Sequence, residues 1–279
     1  MSSNPIYNFS AGPCLLPKEV YDTCAKEMHD WHGTGLSVME MSHRSPEFVS
    51  ISEKAKADLR KFLSIPENFK IFFFQGGASL QYASIVKNLL KDGEKGAYLA
   101  TGLWSEQCIN QAKKMCPEDQ QPQLLASDKE NGFHGVPEFK DWNMDLDKVS
   151  YVHYCQNETV HGVQFKDSED AQFPFDSFKD IPVVCDMSSD IASRPIDFSK
   201  YGVIYAGAQK NLGAAGCTVV IVREDLIGNQ AKDTPFLLDW DLFNKSPDSY
   251  FNTPATYPIY VTGLNLDFML RNGGLEHYQ

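Results

Sequence analysis

An acid and a lysine stand at the ends of two neighbouring apolar runs in the middle of the chain. The first run, Ile181-Pro-Val-Val-Cys185, stops on Asp186; the second, Gly202-Val-Ile-Tyr-Ala206, passes through Gly207 and Ala208 and stops on Gln209-Lys210. A third, Cys217 to Val222, follows the glycine-spaced Asn211-Leu-Gly213-Ala-Ala-Gly216. Short β-branched runs bounded by Gly, Pro and Ser predict buried strands rather than helices. In an open α/β sheet, ligands gather beyond the carboxyl ends of the strands, where Asp186 and Lys210 would both lie. A lysine made neutral by burial or by its neighbours can attack a carbonyl and hold it as a Schiff base. Pyridoxal phosphate (PLP) asks for such a lysine, with an acid facing its ring nitrogen so that the ring accepts electrons from a developing carbanion. The small residues Ala206, Gly207 and Ala208 would let a flat group lie close to the backbone. The same pair is compatible with a helix-capping acid and a solvated lysine, and the glycines match neither GxGxxG nor GxxxxGK[ST]. On these residues alone both readings stay open.

The elements that would position the pair follow from periodicity. Lys70 to Phe74 reads as a strand, Gln75-Gly-Gly-Ala-Ser79 as a turn, and Leu80 to Leu90 as an amphipathic helix. Strand, glycine turn and helix N-terminus make a generic anion cradle, and equally a tight turn that merely needs glycine. Gly96 to Ser105 reads as another strand-to-helix transition, with Trp104 at the top of the sheet; a buried Trp is more often core than a ligand-stacking residue. Val149 to Tyr154 predicts a strand, with Cys155 to Gly162 a loop at its end. Pro17 opens a helix expected to reach about Trp31, and Ser37 to Arg44 reads as a short extended piece. Glu47 to Leu63 returns to helical spacing, with Phe48, Ile51, Ala55, Leu59 and Phe62 on one face. Residues 117–147 read as surface connections around strands whose bounds the pattern leaves open, and Pro235 to Asp241 shows no clear regular element. Tyr257 to Arg271 predicts a long helix closed by Asn272-Gly-Gly274, and the last residues resemble the start of another.

Composition narrows the class. The 279 residues are 42% hydrophobic, and 25 Lys+Arg stand against 37 Asp+Glu, a net charge of −12. That balance argues against nucleic acid or an anionic membrane as partner, since both favour basic surfaces. No apolar run approaches the roughly eighteen residues that span a bilayer, and the N-terminus lacks the order of a signal peptide. The seven cysteines have no CxxC spacing, which predicts neither a disulfide framework nor a zinc site; no metal is expected, and a reducing, cytoplasmic setting is.

With these pieces placed, the chain resembles the phosphoserine aminotransferases, PLP enzymes of the aspartate-aminotransferase fold group, over essentially its whole length. The resemblance rests on Asn8-Phe-Ser-Ala-Gly-Pro13, Ser37-Val-Met-Glu-Met-Ser-His-Arg44, Gly76-Gly77, Asn157-Glu-Thr159, Asp186-Met-Ser-Ser189, Ser193-Arg-Pro-Ile-Asp197, Tyr201 to Asn211 and Phe251-Asn-Thr-Pro254. It implies an α/β fold of the type I PLP-dependent transferases, with a mostly parallel seven-stranded sheet between helices. It divides the chain into an N-terminal arm (1–16), a large PLP-binding domain (17–262) and the start of a small C-terminal domain (263–279). The rest of that small domain, which in the family supplies an arginine for the substrate carboxylate, is not in this sequence.

The resemblance also implies roles. Lys210 would carry the cofactor and move the substrate proton, Asp186 would pair with the ring nitrogen, and Trp104 would stack on the ring. Thr159 and Ser188 would hydrogen-bond around the cofactor. Ala78, Ser79 and Gln209 would bind its phosphate, helped by Asn252 and Thr253 from the other subunit of a homodimer with shared active sites. His43 and Arg44 match a pair that reaches across the dimer to a phosphorylated substrate. Ser79 departs from the basic or cysteine residue that many members carry there. The activity implied is reversible transamination between glutamate and 3-phosphohydroxypyruvate in serine synthesis. Its rivals are another PLP enzyme of the same fold, which would have no need of the His43–Arg44 charges, and a non-catalytic cofactor-binding or dimerisation remnant.

Overall fold

The computed structural model describes residues 7–166, 172–178 and 180–278. Its centre is a seven-stranded sheet made of β1 (Phe69–Phe74), β2 (Lys95–Ala100), β3 (Gln123–Ser127), β4 (Val149–Cys155), β7 (Val183–Asp186), β8 (Val203–Gly207) and β9 (Thr218–Arg223). The spatial order is β1-β9-β8-β7-β4-β2-β3, and only β9 runs against its neighbours. A separate two-stranded hairpin, β5 (Asn157–Glu158) and β6 (Val163–Gln164), leaves the end of β4. The expected mostly parallel seven-stranded sheet is therefore present, and the carboxyl ends of β4, β7 and β8 lie side by side.

Strand alternation sorts the core into two layers. Ile71, Phe73, Leu99, Val219 and Ile221 face one cluster, completed by Phe48, Ile51, Ala55, Leu59 and Phe62 of α2 (Pro46–Leu63) and by Ile259 and Leu266 of α6 (Thr256–Arg271). Phe72, Phe74, Tyr98, Val220 and Val222 face the other, against α3 (Gly77–Leu89), α4 (Leu103–Met115) and α5 (Trp240–Lys245). The helical face read for residues 47–63 is the buried face of α2. Among the described residues, no helix is long and apolar enough to cross a membrane.

Three local expectations need correction. The first helix, α1 (Lys18–Lys26), stops well before Trp31. There the Asp30 carboxylate accepts from Gly35 N at 2.7 Å, and Trp31 N donates to Leu36 O at 2.9 Å, so a side-chain-held loop competes with the helix. Ser37 to Arg44 is not extended but a run of turns. Glu40 N donates to Ser37 O, and the Ser37 and Ser42 hydroxyls accept from Met39 N and Arg44 N. Within Pro235 to Asp241, Phe236–Leu238 forms a 3-10 turn, and α5 begins at Trp240 because Asp239 accepts from Leu242 N at 3.0 Å. The last short helix, α7, spans Leu275–Tyr278.

His153 of β4 is buried between Tyr98 and Tyr205 and shares its Nε2 with the Tyr205 hydroxyl at 2.8 Å. Burial pushes its pKa down to about 3. The unfolded chain therefore takes up a proton near pH 6.5 that the folded chain refuses, and stability must fall as the pH drops below that value. The expected slope from this residue is about 1.4 kcal/mol per pH unit. Urea unfolding followed between about pH 7 and pH 4.5 should show it, and His153→Phe should remove that part of the slope. Identical slopes in the two proteins would mean that His153 does not titrate on unfolding.

Candidate active site

Asp186 closes β7 and Lys210 follows β8 by three residues, and both face a cleft of about 500 Å³. Ala78, Ser79, Trp104, Thr159, Ser188 and Gln209 line the same cleft. These eight positions, scattered over more than a hundred residues of sequence, are brought together by the sheet. Asp186 is in register with Cys155 on β4 and Tyr205 on β8, so its neighbours are fixed by strand pairing.

The Asp186 carboxyl is buried, and burial pushes its pKa up. Hydrogen bonds from Ser188 and the charge of Lys210 oppose that push. Oδ1 accepts from Ser188 N at 2.9 Å and Ser188 Oγ at 2.6 Å. Ser188 Oγ in turn accepts from Gly207 N at 3.0 Å, which ties the loop after β7 to the end of β8. Among the described residues Oδ2 accepts no hydrogen bond, leaving half of a desolvated carboxylate without a donor. That half fits a cationic ring N–H.

Lys210 is half-buried, and its Nζ donates to Thr159 Oγ1 at 2.6 Å. Burial lowers its pKa, against the raising influence of Asp186. The segment around Gly12 and Cys14 closes over its stem, with Gly12 lying against the Lys210 side chain and Cys14 N donating to Gln209 O at 2.8 Å. Opposite, α3 begins at Gly77 rather than at Leu80, after a turn that needs positive φ at Gly76 (84°) and Gly77 (67°). Ala78 and Ser79 thus sit in the first helical turn, where backbone N–H groups have no intrahelical acceptor and the helix dipole favours an anion. Trp104 lies in the first turn of α4, and its buried Nε1 has no partner among the described residues.

Four expected residues are not at this cleft within one chain. Thr253 O accepts from Gln75 Nε2 at 2.8 Å, and Asn252 borders a small separate pocket with Phe243 and Tyr250. His43 and Arg44 lie in the turns before α2; burial, and then the charge of Arg44, lower the His43 pKa. Conversely, Ala11, Tyr82, Cys155, Asn157, Val160 and Ala215 line the cleft without having been given a role from sequence. Asn157 carried a signal, because it alternates with Thr159 across Glu158.

Residues 6–279 match the family described as aminotransferase class-V. The chain belongs to the class-V aminotransferase family. Within it, a phosphoserine aminotransferase of Laribacter hongkongensis is 46% identical over 274 residues, covering 98% of this chain and 72% of its own length. Phosphoserine aminotransferase 2, chloroplastic, of Arabidopsis thaliana is 42% identical over 278 residues, covering 63% of its own length. Among solved structures, the PLP-bound phosphoserine aminotransferase of Trichomonas vaginalis superposes with a TM-score of 0.88 at 35% identity, covering 96% of this chain and 76% of that one. The phosphoserine aminotransferase of Bacillus circulans subsp. alkalophilus gives 0.87 at 39% identity, with 98% and 72% covered.

The buried carboxylate yields a prediction for the protein without ligand. Because the folded pKa of Asp186 lies above its unfolded value, its ionisation costs stability as the pH rises through the folded pKa. Below the unfolded value of about 3.9 that cost is absent. Asp186→Asn keeps an acceptor for both Ser188 bonds and removes the charge. By calorimetry the ligand-free variant should melt above the ligand-free parent at neutral pH and lose its advantage below about pH 4. A variant less stable than the parent at neutral pH would contradict this.

Proposed function

We propose that the cleft binds PLP and carries out phosphoserine transamination: reversible transfer of an amino group between glutamate and 3-phosphohydroxypyruvate, giving O-phospho-L-serine and 2-oxoglutarate in L-serine biosynthesis. The observation that carries the reading is the placement of Lys210 Nζ on Thr159, beside the half-satisfied buried Asp186, in a chain whose relatives at 42–46% identity are phosphoserine aminotransferases. The residues present fit the cofactor. A carboxylate oxygen of buried Asp186 is open to a cation, the start of α3 offers amides to a phosphate, and the half-buried Lys210 amine lines the same cleft.

When bound, PLP supplies the carbonyl that takes up the amino group and the electron sink for the Cα carbanion. The chain supplies the rest. Lys210 would offer an amine that burial biases toward its neutral, nucleophilic form, and once the donor's amino group has displaced it Nζ would be free to take the proton from the donor's Cα. Asp186, held by Ser188, keeps the ring nitrogen protonated. Ala78 and Ser79 offer first-turn amides to the cofactor phosphate, with the Gln209 side chain beside them. Trp104 covers one face of the ring.

A homodimer with shared sites belongs to the same proposal. Asn252 and Thr253 stand next to Phe251 and near exposed Phe236 and Leu237, an apolar face suited to a second copy. His43 and Arg44 would likewise serve the partner's substrate phosphate. The same reading assigns residues 1–16 to an arm, 17–262 to a large domain and 263–279 to the beginning of a small one, with α6 (Thr256–Arg271) crossing the last boundary. A cytoplasmic setting accords with seven unpaired cysteines.

Arg44 is exposed and can hold a phosphate with two parallel charged hydrogen bonds. Arg44→Ala should weaken phosphoserine binding by about 1.5–3 kcal/mol, the range for hydrogen bonds to charged groups. Glutamate, which lacks the phosphate, should lose much less. Ligand titrations of the two proteins decide it, and equal losses for both ligands would overturn phosphate recognition by Arg44.

A further inference from the structure

The two sides of the cleft come from segments far apart in sequence. Trp104 belongs to the first turn of α4, whereas Asn157 and Thr159 flank Glu158 on the hairpin that leaves β4. Alternation sends Glu158 away from the cleft, and it is wholly buried. Its Oε2 accepts from Trp104 N at 3.0 Å, and its Oε1 accepts from Ser105 N at 2.8 Å and from the Ser105 hydroxyl. Three residues along the same turn, His161 Nδ1 accepts from Leu103 N at 3.3 Å. The first three N–H groups of α4 therefore all end on this one hairpin.

Space at the junction points the same way. A Cβ on Gly102 would lie 2.5 Å from Cγ and Cδ of Glu158. Gly102 itself is extended (φ 179°), so it is room for the carboxylate, not backbone freedom, that a larger residue would remove. On the cleft side, Thr159 Oγ1 accepts from Lys210 Nζ at 2.6 Å and donates to Ser189 Oγ at 3.0 Å. Asn157 Nδ2 donates to the same Ser189 oxygen at 2.7 Å. One three-residue segment thus grips the Trp104 turn with its middle residue and the Lys210 amine with the next.

We infer that Glu158 is a positioning residue: both its oxygens bind the α4 turn that carries Trp104 to the hairpin that carries Thr159, and this fixes the spacing between the indole and Lys210. It acts through Trp104 and Thr159 and does not touch the reacting atoms. The nearby carboxylate also favours protonated Lys210, less than Asp186 does and against the lowering effect of burial. An ordinary helix cap would contribute only stability; a spacer between the cleft walls must also govern how the cofactor is held. The inference rests on the cofactor reading given above.

The test uses the PLP-reconstituted full chain and three readouts besides turnover: the affinity for PLP, the circular dichroism of the cofactor's long-wavelength band at equal occupancy, and the pH at which that band titrates. Glu158→Gln keeps the volume but removes the charge and sets an amide N–H₂ against a backbone N–H. The PLP Kd should rise about tenfold, the equivalent of roughly one charge-assisted hydrogen bond. The band should lose ellipticity and should titrate at lower pH. Glu106→Gln, on the same helical turn but paired with Lys129, should change none of the three. A folded Glu158→Gln protein with all three readouts unchanged would overturn the inference, and so would a lower melting temperature with no change in them. If Glu158→Gln does not fold, Ser105→Ala removes one donor to Oε1 and decides the matter. A smaller loss of ellipticity in the same direction supports the inference, and an unchanged band overturns it. A parent protein that shows no cofactor band at all would instead sink the cofactor reading, and this inference with it.

Discussion

Asp186 and Lys210 are ionisable groups that the sheet carries out of water, and the rest of the site is arranged around the cost of doing so. Burial raises the pKa of the acid and lowers that of the amine, so each is pushed toward its neutral form while the charge of the other pulls it back. Ser188 answers one oxygen of Asp186 and Thr159 answers Lys210 Nζ, and the remaining carboxylate oxygen is left for a ligand. A desolvated carboxylate with an open acceptor is poorly matched to an empty fold and well matched to a cationic ring. In the proposed site, stability given up at Asp186 would be recovered by the bound ring.

Parallel strand pairing makes this arrangement possible. β4, β7 and β8 end together, so Cys155, Asp186 and Tyr205 lie in one register row, and the loops beyond them carry Thr159, Ser188 and Lys210 into one cleft. The antiparallel β9 closes the sheet against β1, whose end launches the glycine turn and α3. Beside the segments at Ala11–Pro13, Thr159–Val160 and Ala215–Gly216, the cleft is walled by the starts of α3 and α4 and the ends of β4 and β7. Such positions are rigid, and they present free backbone donors or side chains where a ligand can meet them.

Much of this was legible in the sequence because it rests on local patterns. β-branched runs ending in Asp186 and near Lys210 located strand ends, and the spacing of Phe48, Ile51, Ala55, Leu59 and Phe62 gave the buried face of α2. The failures were also local. Asp30 and the serines at 37 and 42 use side-chain hydrogen bonds to replace helix or strand with turns, and hydrophobic periodicity does not register such bonds. The start of α5 was hidden because Asp239 caps a helix of only six residues, Trp240–Lys245. Glu158 was passed over for a different reason: its partners, Trp104 and Ser105, lie some fifty positions away, and only the fold brings them together. Asn252, Thr253, His43 and Arg44 stand apart from the cleft of their own chain, so the roles proposed for them require a second subunit.

The central claim is that Lys210 is the amine that receives the cofactor. Its most direct test is borohydride reduction of the PLP-reconstituted protein, followed by peptide mapping of the pyridoxyl group. The account predicts the label on Lys210, with no stable adduct in Lys210→Ala. A label on any other lysine, or an undiminished adduct in that variant, would contradict it.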